Sequence, residues 1–357
     1  MMPVMIDHSG DATLDSGFLG RIRWVEAVVE MEALDRLSLP PFAGSAIRGA
    51  LGRIFRPALC DAAVKCVEDC AMPSECRYYS LFEQSRAGGG TGSNIPKPMI
   101  LGAPLPGELE ILATGGEVEW PYEVGKRIGS ESIPTLRNES DMVLEPGANL
   151  RFELRLIGNI AAAVPAIIEG LARYGIGIGG GRLKLRRVWD TFGANRVIHD
   201  WANPGVRPQA ALERTLDGCR TLERAKRVRI VFLTPAMLKI GSETCFDPEV
   251  LARECLKQCM VRAMQVYHGF FAHGQKLPWM ELPEMGVRLA EHRLFHYVLP
   301  RRSFRQERWM NFDGLVGFMD LSGDLTPALP FLRAAEFLNI GQKATFGLGR
   351  IRAFVLE

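Results

Sequence analysis

Long apolar runs are missing from this sequence, and no segment approaches the ~18 apolar residues that suggest a membrane span. The opening residues, MMPVMIDHSGDATLDSG, lack the basic-then-apolar order of a secretory signal. An excess of one charge is missing too. Lysine and arginine number 43 against 41 aspartates and glutamates, a formal net charge of +2. That balance excludes a uniformly basic surface, so a polyanion site has to come from local clusters. Histidine is scarce: there are six, and none lies between His8 and His199. That long stretch therefore carries none of the side chains that titrate near neutral pH. Nothing points to an oxidising compartment, so the eight cysteines read as reduced thiols and the expected location is the cytoplasm.

What is present fits an ordinary globular chain. Hydrophobic residues make up 47% and charged residues 24%, and 357 residues allow two domains with separate cores. The local basic clusters exist: RLKLRR at 182–187, RAKRVR at 224–229 and RRSFRQER at 301–308. The 14 methionines are scattered and read as core filler, as do Cys255 and Cys259, four apart in an apolar helix.

Residues 301–357 organise the rest. A basic segment leads to a glycine-flanked strand and then to a helix that Thr326 can cap, with Pro327 in its first position. The loop GQKATFGLGR at 341–350 enters a final strand. Its glycines, Gly341, Gly347 and Gly349, permit close approach to a bulky ligand, and Lys343 and Arg350 flank that approach with positive charge. The competing reading is a tight helix-to-strand connection. A dinucleotide fingerprint is excluded, because these glycines follow a helix and precede a strand.

In the N-terminal part, LPPFAG at 39–44 leads into a helix over residues 46–59, capped by Ser45, with Ile47, Ala50, Leu51, Ile54 and Phe55 on one stripe. Arg48, Arg53 and Arg56 lie largely off that stripe, as a solvated basic face or an RNA-facing one. Cys60, Cys66, Cys70 and Cys76 follow within 17 residues, spaced C-x5-C-x3-C-x5-C. Four thiolates so close can enclose a tetrahedral metal, zinc ahead of an iron–sulfur cluster, in a closed structural site. A disulfide pair or unrelated buried thiols are the alternatives. A Gly/Ser loop at 86–94 and a Pro/Gly-rich stretch to residue 150, read as hairpins and loops, come next.

Strand, helix, glycine-rich loop and basic strand then occur near 151–188 and again near 314–356. A strand and a helix precede each copy, the second helix starting at Asp247 as cap and Pro248 in the first position. The fold class is therefore α+β, with two tandem ferredoxin-like (βαββαβ, RRM-like) domains and a Cys-rich metal-binding insertion in the first. Residues 1–19 read as a leader and 20–194 as the first domain with its four-cysteine and Gly/Pro-rich insertions. Residues 195–222 read as a linker and 223–357 as the second domain.

Four features give a resemblance: RRSFRQ at 301–306, GLVG at 314–317, the helix carrying Pro330, Phe331 and Leu332, and GQKATFGLG at 341–349. Together they resemble the CRISPR repeat-RNA (pre-crRNA) processing endoribonucleases of the repeat-associated mysterious protein (RAMP) superfamily. The resemblance covers roughly the last sixty residues and the block 39–83. It implies the same two-domain fold, binding of CRISPR repeat RNA, other CRISPR effector subunits as partners, and a monomer or homodimer. It also implies antiviral-defence chemistry without a catalytic metal, in which the RNA's own 2′-hydroxyl attacks the neighbouring phosphate. Arg48, Arg53, Arg182, Arg301, Arg305, Gln306, Lys343 and Arg350 are the RNA-binding candidates. Three departures stand out: Arg302 replaces a usual tyrosine, Gly341-Gln342-Lys343 is one residue longer than the usual glycine-lysine, and no histidine lies in or just after the first helix. His296 and His292, which precede the basic segment, and Arg302 are the catalytic candidates, with Tyr78, Tyr79 and Lys97 behind them. The missing histidine favours a second function, a repeat-RNA-binding subunit that cuts slowly or not at all. A cysteine-based metal or redox protein is the third, and no histidine stands near residues 60–76 to support it.

Overall fold

The computed structural model describes residues 16–60, 76–83, 96–104, 135–136, 141–191, 196–202, 210–221, 223–272, 280–303 and 308–357, without the side chains of 83, 135–136 and 300–311. The architecture is mixed α+β with antiparallel sheets, as expected from the alternating and helical periods. In chain order the principal elements are β1 (Arg23–Ala33), α1 (Gly44–Leu59), β2 (Met99–Gly102), β3 (Asn149–Ile157), α2 (Val164–Tyr174) and β4 (Gly181–Asp190). The second half repeats the order with β5 (Arg227–Ala236), α3 (Pro248–Phe270), β6 (Arg288–Tyr297), β7 (Gly314–Ser322), α4 (Leu329–Leu338) and β8 (Ile351–Val355).

The first sheet runs β2-β3-β1-β4 and the second β8-β5-β7-β6, so in each half the first and third strands are central. Each central strand alternates. Val25, Ala27, Val29 and Met31 of β1 face a core built on α1 and α2, while Glu26, Glu30 and Glu32 face the other way. Val228, Ile230 and Phe232 of β5 do the same over α3 and α4. Among the described residues no helix is long and apolar enough to cross a membrane.

Several local expectations are corrected. Asp247 does cap α3, its carboxylate accepting the N–H groups of Glu249 and Val250, and Pro248 opens the helix. Ser45 does not cap α1, which begins at Gly44 after Ala43. Thr326 starts a short 3-10 turn, and its hydroxyl accepts the Ala225 N–H instead of capping α4. The end of the expected leader is core: Phe18 and Leu19 are buried under the second half, with the Phe18 ring 5.4 Å from that of Tyr267. The expected linker is built in as well. Arg196–Asp200 pairs with β4, Arg214–Thr215 pairs with β1, and the Cys219 thiol is buried, which pushes it up to about 12. Cys255 and Cys259 are buried in α3, as read. Within the Pro/Gly-rich stretch, β2 is a sheet strand, and Met142–Leu144 forms a hairpin-like pair with Leu37–Leu39.

Candidate nucleic-acid interface

The start of α1 meets the glycine-rich loop of the second half. A Cβ on Gly44 would stand 2.0 Å from the Phe346 carbonyl oxygen, so only glycine allows this approach. The loop glycines serve the same packing. Gly349 has φ +71° and lies against the Ile340 backbone, Gly341 against Met237, and Gly347 against Leu101 of β2. The tight-connection reading therefore accounts for the glycines, and the charged side chains beside them carry the interest.

Those side chains alternate with aromatic rings. Lys97, just before β2, donates to the Phe82 carbonyl. The Arg48 guanidinium lies 5.2 Å from the Phe82 ring centroid and 4.5 Å from that of Phe346. Phe346 meets Phe312 edge-on at 5.0 Å, and the Lys343 ammonium stands 5.8 Å from the Phe312 ring. Tyr78 stacks on Phe82 at 5.3 Å. Three cations and three phenylalanines thus form a continuous ladder from the first half to the second. Phe82 and Phe312 are buried, at 3% and 1% exposure, so these rings orient the cations and are not free to stack on bases. Lys343 is exposed, in the left-handed region at φ 65°.

The other candidates fall elsewhere. Arg350 does not face solvent: it donates to Glu153 at 2.9 Å and is largely buried. Burial pushes its guanidinium below the usual range, with the Glu153 carboxylate opposing. Arg53 donates to the Gly177 carbonyl at 2.8 Å, and Arg182 pairs with Asp35 at 3.0 Å on an exposed edge. Arg301 and Arg302 lie on the strand Pro300–Ser303, which pairs with Arg308–Asn311; their side chains, and Arg305 and Gln306 entirely, are outside the described residues. His292 is exposed on β6. His296 is 7% exposed, with its ring 4.2 Å from that of Phe246 and its Nε2 3.8 Å from Asp313. On β6, Phe295 and Tyr297 join the cluster that includes Phe346, whereas Leu294 faces the α3 core. His292 and His296 share the Leu294 side by alternation, so the structure does not bring them to the ladder. Cys60 and Cys76 are partly buried, while Cys66 and Cys70 lie outside the described residues. Among the described residues no group of three metal-binding side chains occurs.

Sequence reasoning named Arg48, Lys97, Tyr78 and Lys343 but missed Phe82, Phe312 and Phe346. Their signal was an aromatic residue in each of the segments that carry a basic candidate.

Residues 230–351, from β5 through the glycine-rich loop, match the family described as CRISPR-associated endoribonuclease Cas6. That match covers the second half of the molecule, and it is there that the chain is similar to this family. Residues 22–121 match a family described as an N-terminal domain, and no curated protein matches the sequence. A solved partial Cas6-RT-Cas1–Cas2 complex is 13% identical over 93% of this chain and 46% of its own, with TM-score 0.53. The Cas6-RT-Cas1–Cas2 complex gives the same identity and TM-score over 29% of its chain. Thermus thermophilus Cas6 is 15% identical over 93% of this chain and 99% of its own, with TM-score 0.48. At these identities the complexes show likeness of fold alone.

Proposed function

We propose that this chain is a Cas6-type, repeat-RNA-binding endoribonuclease of two tandem ferredoxin-like domains that cuts by 2′-hydroxyl attack on the adjacent phosphate. The carrying observation is the ladder Lys97–Phe82–Arg48–Phe346–Phe312–Lys343, which sets three cations along the junction of the halves. In such a reaction the 2′-oxygen bonds to phosphorus, the bond to the 5′-oxygen breaks, and one proton passes from the first oxygen to the second. Lys97 and Arg48 supply the positive charge that the crowded phosphate needs, with no metal at the phosphate. Repeat RNA incubated with the chain in EDTA should yield a 2′,3′-cyclic phosphate end. Metal-dependent cleavage or a 3′-hydroxyl end would overturn the mechanism.

One observation favours the second reading, a binding subunit that cuts slowly or not at all: among the described residues no histidine joins the ladder. Both readings make Lys343 a phosphate contact. Lys343→Ala should weaken RNA affinity and lower its salt slope by roughly one ion. Unchanged affinity and slope, measured by filter binding across a salt series, would make the loop a turn only. Partners in either case are repeat RNA and other CRISPR subunits, the chain acting as monomer or homodimer.

The cysteine run is proposed as a structural zinc site of Cys60, Cys66, Cys70 and Cys76, inserted in the first domain. In support, the Cys76 sulfur accepts the Tyr79 N–H at 3.4 Å, a backbone contact that orients it. Purified protein should carry about one zinc per chain, and Cys70→Ser should lose it together with several kcal/mol of stability. Elemental analysis finding neither zinc nor iron in reduced protein would remove the site.

A further inference from the structure

The glycine-rich loop belongs to the second half, yet a single strand of the first half holds both of its ends. Two residues apart on β3, Glu153 and Arg155 point the same way. Arg155 donates from one nitrogen to the carbonyls of Glu336 and Phe337, both at 3.3 Å, in the last turn of α4 where the loop begins. Glu153 accepts from Arg350, where the loop ends, at 2.9 Å through one oxygen, and from Arg155 at 2.8 Å through the other. Gly102, opposite Glu153 in register, leaves the space for that carboxylate: a Cβ there would stand 2.6 Å from Oε2. The second half closes the loop on itself. Asn339 donates to the Leu348 carbonyl, the Ile340 N–H to Gly349, and Arg262 to the Leu338 carbonyl.

We propose that Glu153 and Arg155 are positioning residues that clamp the glycine-rich loop, and with it Lys343, in register with Arg48 and Lys97. The clamp acts across the two halves, where the loop's own hydrogen bonds cannot. Glu153 is the centre of it, because its two oxygens join the arginine at the loop's entry to the arginine at its exit. The kinetic part rests on the cleavage reading above, whereas the structural part does not.

The test uses the full chain with Glu153→Gln, Arg350→Met and the double variant, followed by hydrogen exchange and single-turnover RNA cleavage. In each single variant the amides of 341–349 should exchange about tenfold faster, while those of α1 stay as they were. The rate at saturating RNA should fall about tenfold, with RNA affinity changed less than about twofold. The double variant should match Glu153→Gln, because the contact that Arg350→Met removes is already lost there. Unchanged loop exchange, additive effects, or a loss confined to affinity would overturn the clamp. Absence of cleavage by the wild-type chain counts against the function reading alone, and the exchange measurements then decide the clamp by themselves.

Discussion

Arg155→Ala is expected to lower the unfolding free energy by about 3–5 kcal/mol, read from urea denaturation at neutral pH. The guanidinium is 6% exposed and serves Glu26, Glu153 and two helix-end carbonyls at once. Burial opposes its charge, but Glu153 and Glu26 outweigh that, so it is held more firmly protonated than usual. Burial likewise works against the Glu26 carboxylate, and Arg155 with the Thr191 hydroxyl more than compensates, leaving its pKa below the ordinary value. Truncation strands a buried negative charge, which costs more than the pair itself contributes. The sign with pH follows. Glu26 contributes stability above its unfolded-state pKa, and this is lost as pH falls through its lower folded-state value. In Arg155→Ala that acid dependence should flatten or reverse. Adding Glu26→Gln should recover part of the loss; no recovery would mean that the lost helix-end contacts dominate.

Lys97→Met is expected to slow RNA cleavage by about 10²–10³-fold, equivalent to about 2.7–4 kcal/mol of transition-state stabilisation. Its anchorage on the Phe82 carbonyl fixes the ammonium beside Arg48, and methionine keeps the length without the charge. Arg48→Lys should also lose rate, since a point charge cannot lie flat between the Phe82 and Phe346 rings. His296→Ala is the comparison. Its place on the α3 side of β6 predicts less than about tenfold loss, whereas a loss of about 10²–10⁴ would return the proton transfer to that histidine.

The periodic parts of this molecule were legible from the sequence. Alternation in 151–156, the Asp247–Pro248 helix start and the repeated strand-helix-glycine-strand order all reappear as β3, α3 and the ends of the two sheets. Local chemistry alone sufficed there. It failed where a residue's role depends on a distant partner. Arg350 looked like a phosphate contact because its neighbours are glycine and lysine, and only the fold reveals Glu153, 197 residues away, against it. Residues 195–222 read as a linker because they show no sustained helix or strand period, yet strands within them join the first sheet by backbone pairing, which composition does not encode. The ladder lay between these cases: its cations were named, but alternation with rings from three separate segments needed the two halves in contact.

The most direct measurement replaces the 2′-hydroxyl just 5′ of the cut with hydrogen and follows binding and cleavage in EDTA. If that hydroxyl is the nucleophile, the deoxy RNA binds nearly as well as the natural strand and is not cut. Cleavage of the deoxy RNA at the natural rate would contradict the proposed mechanism outright.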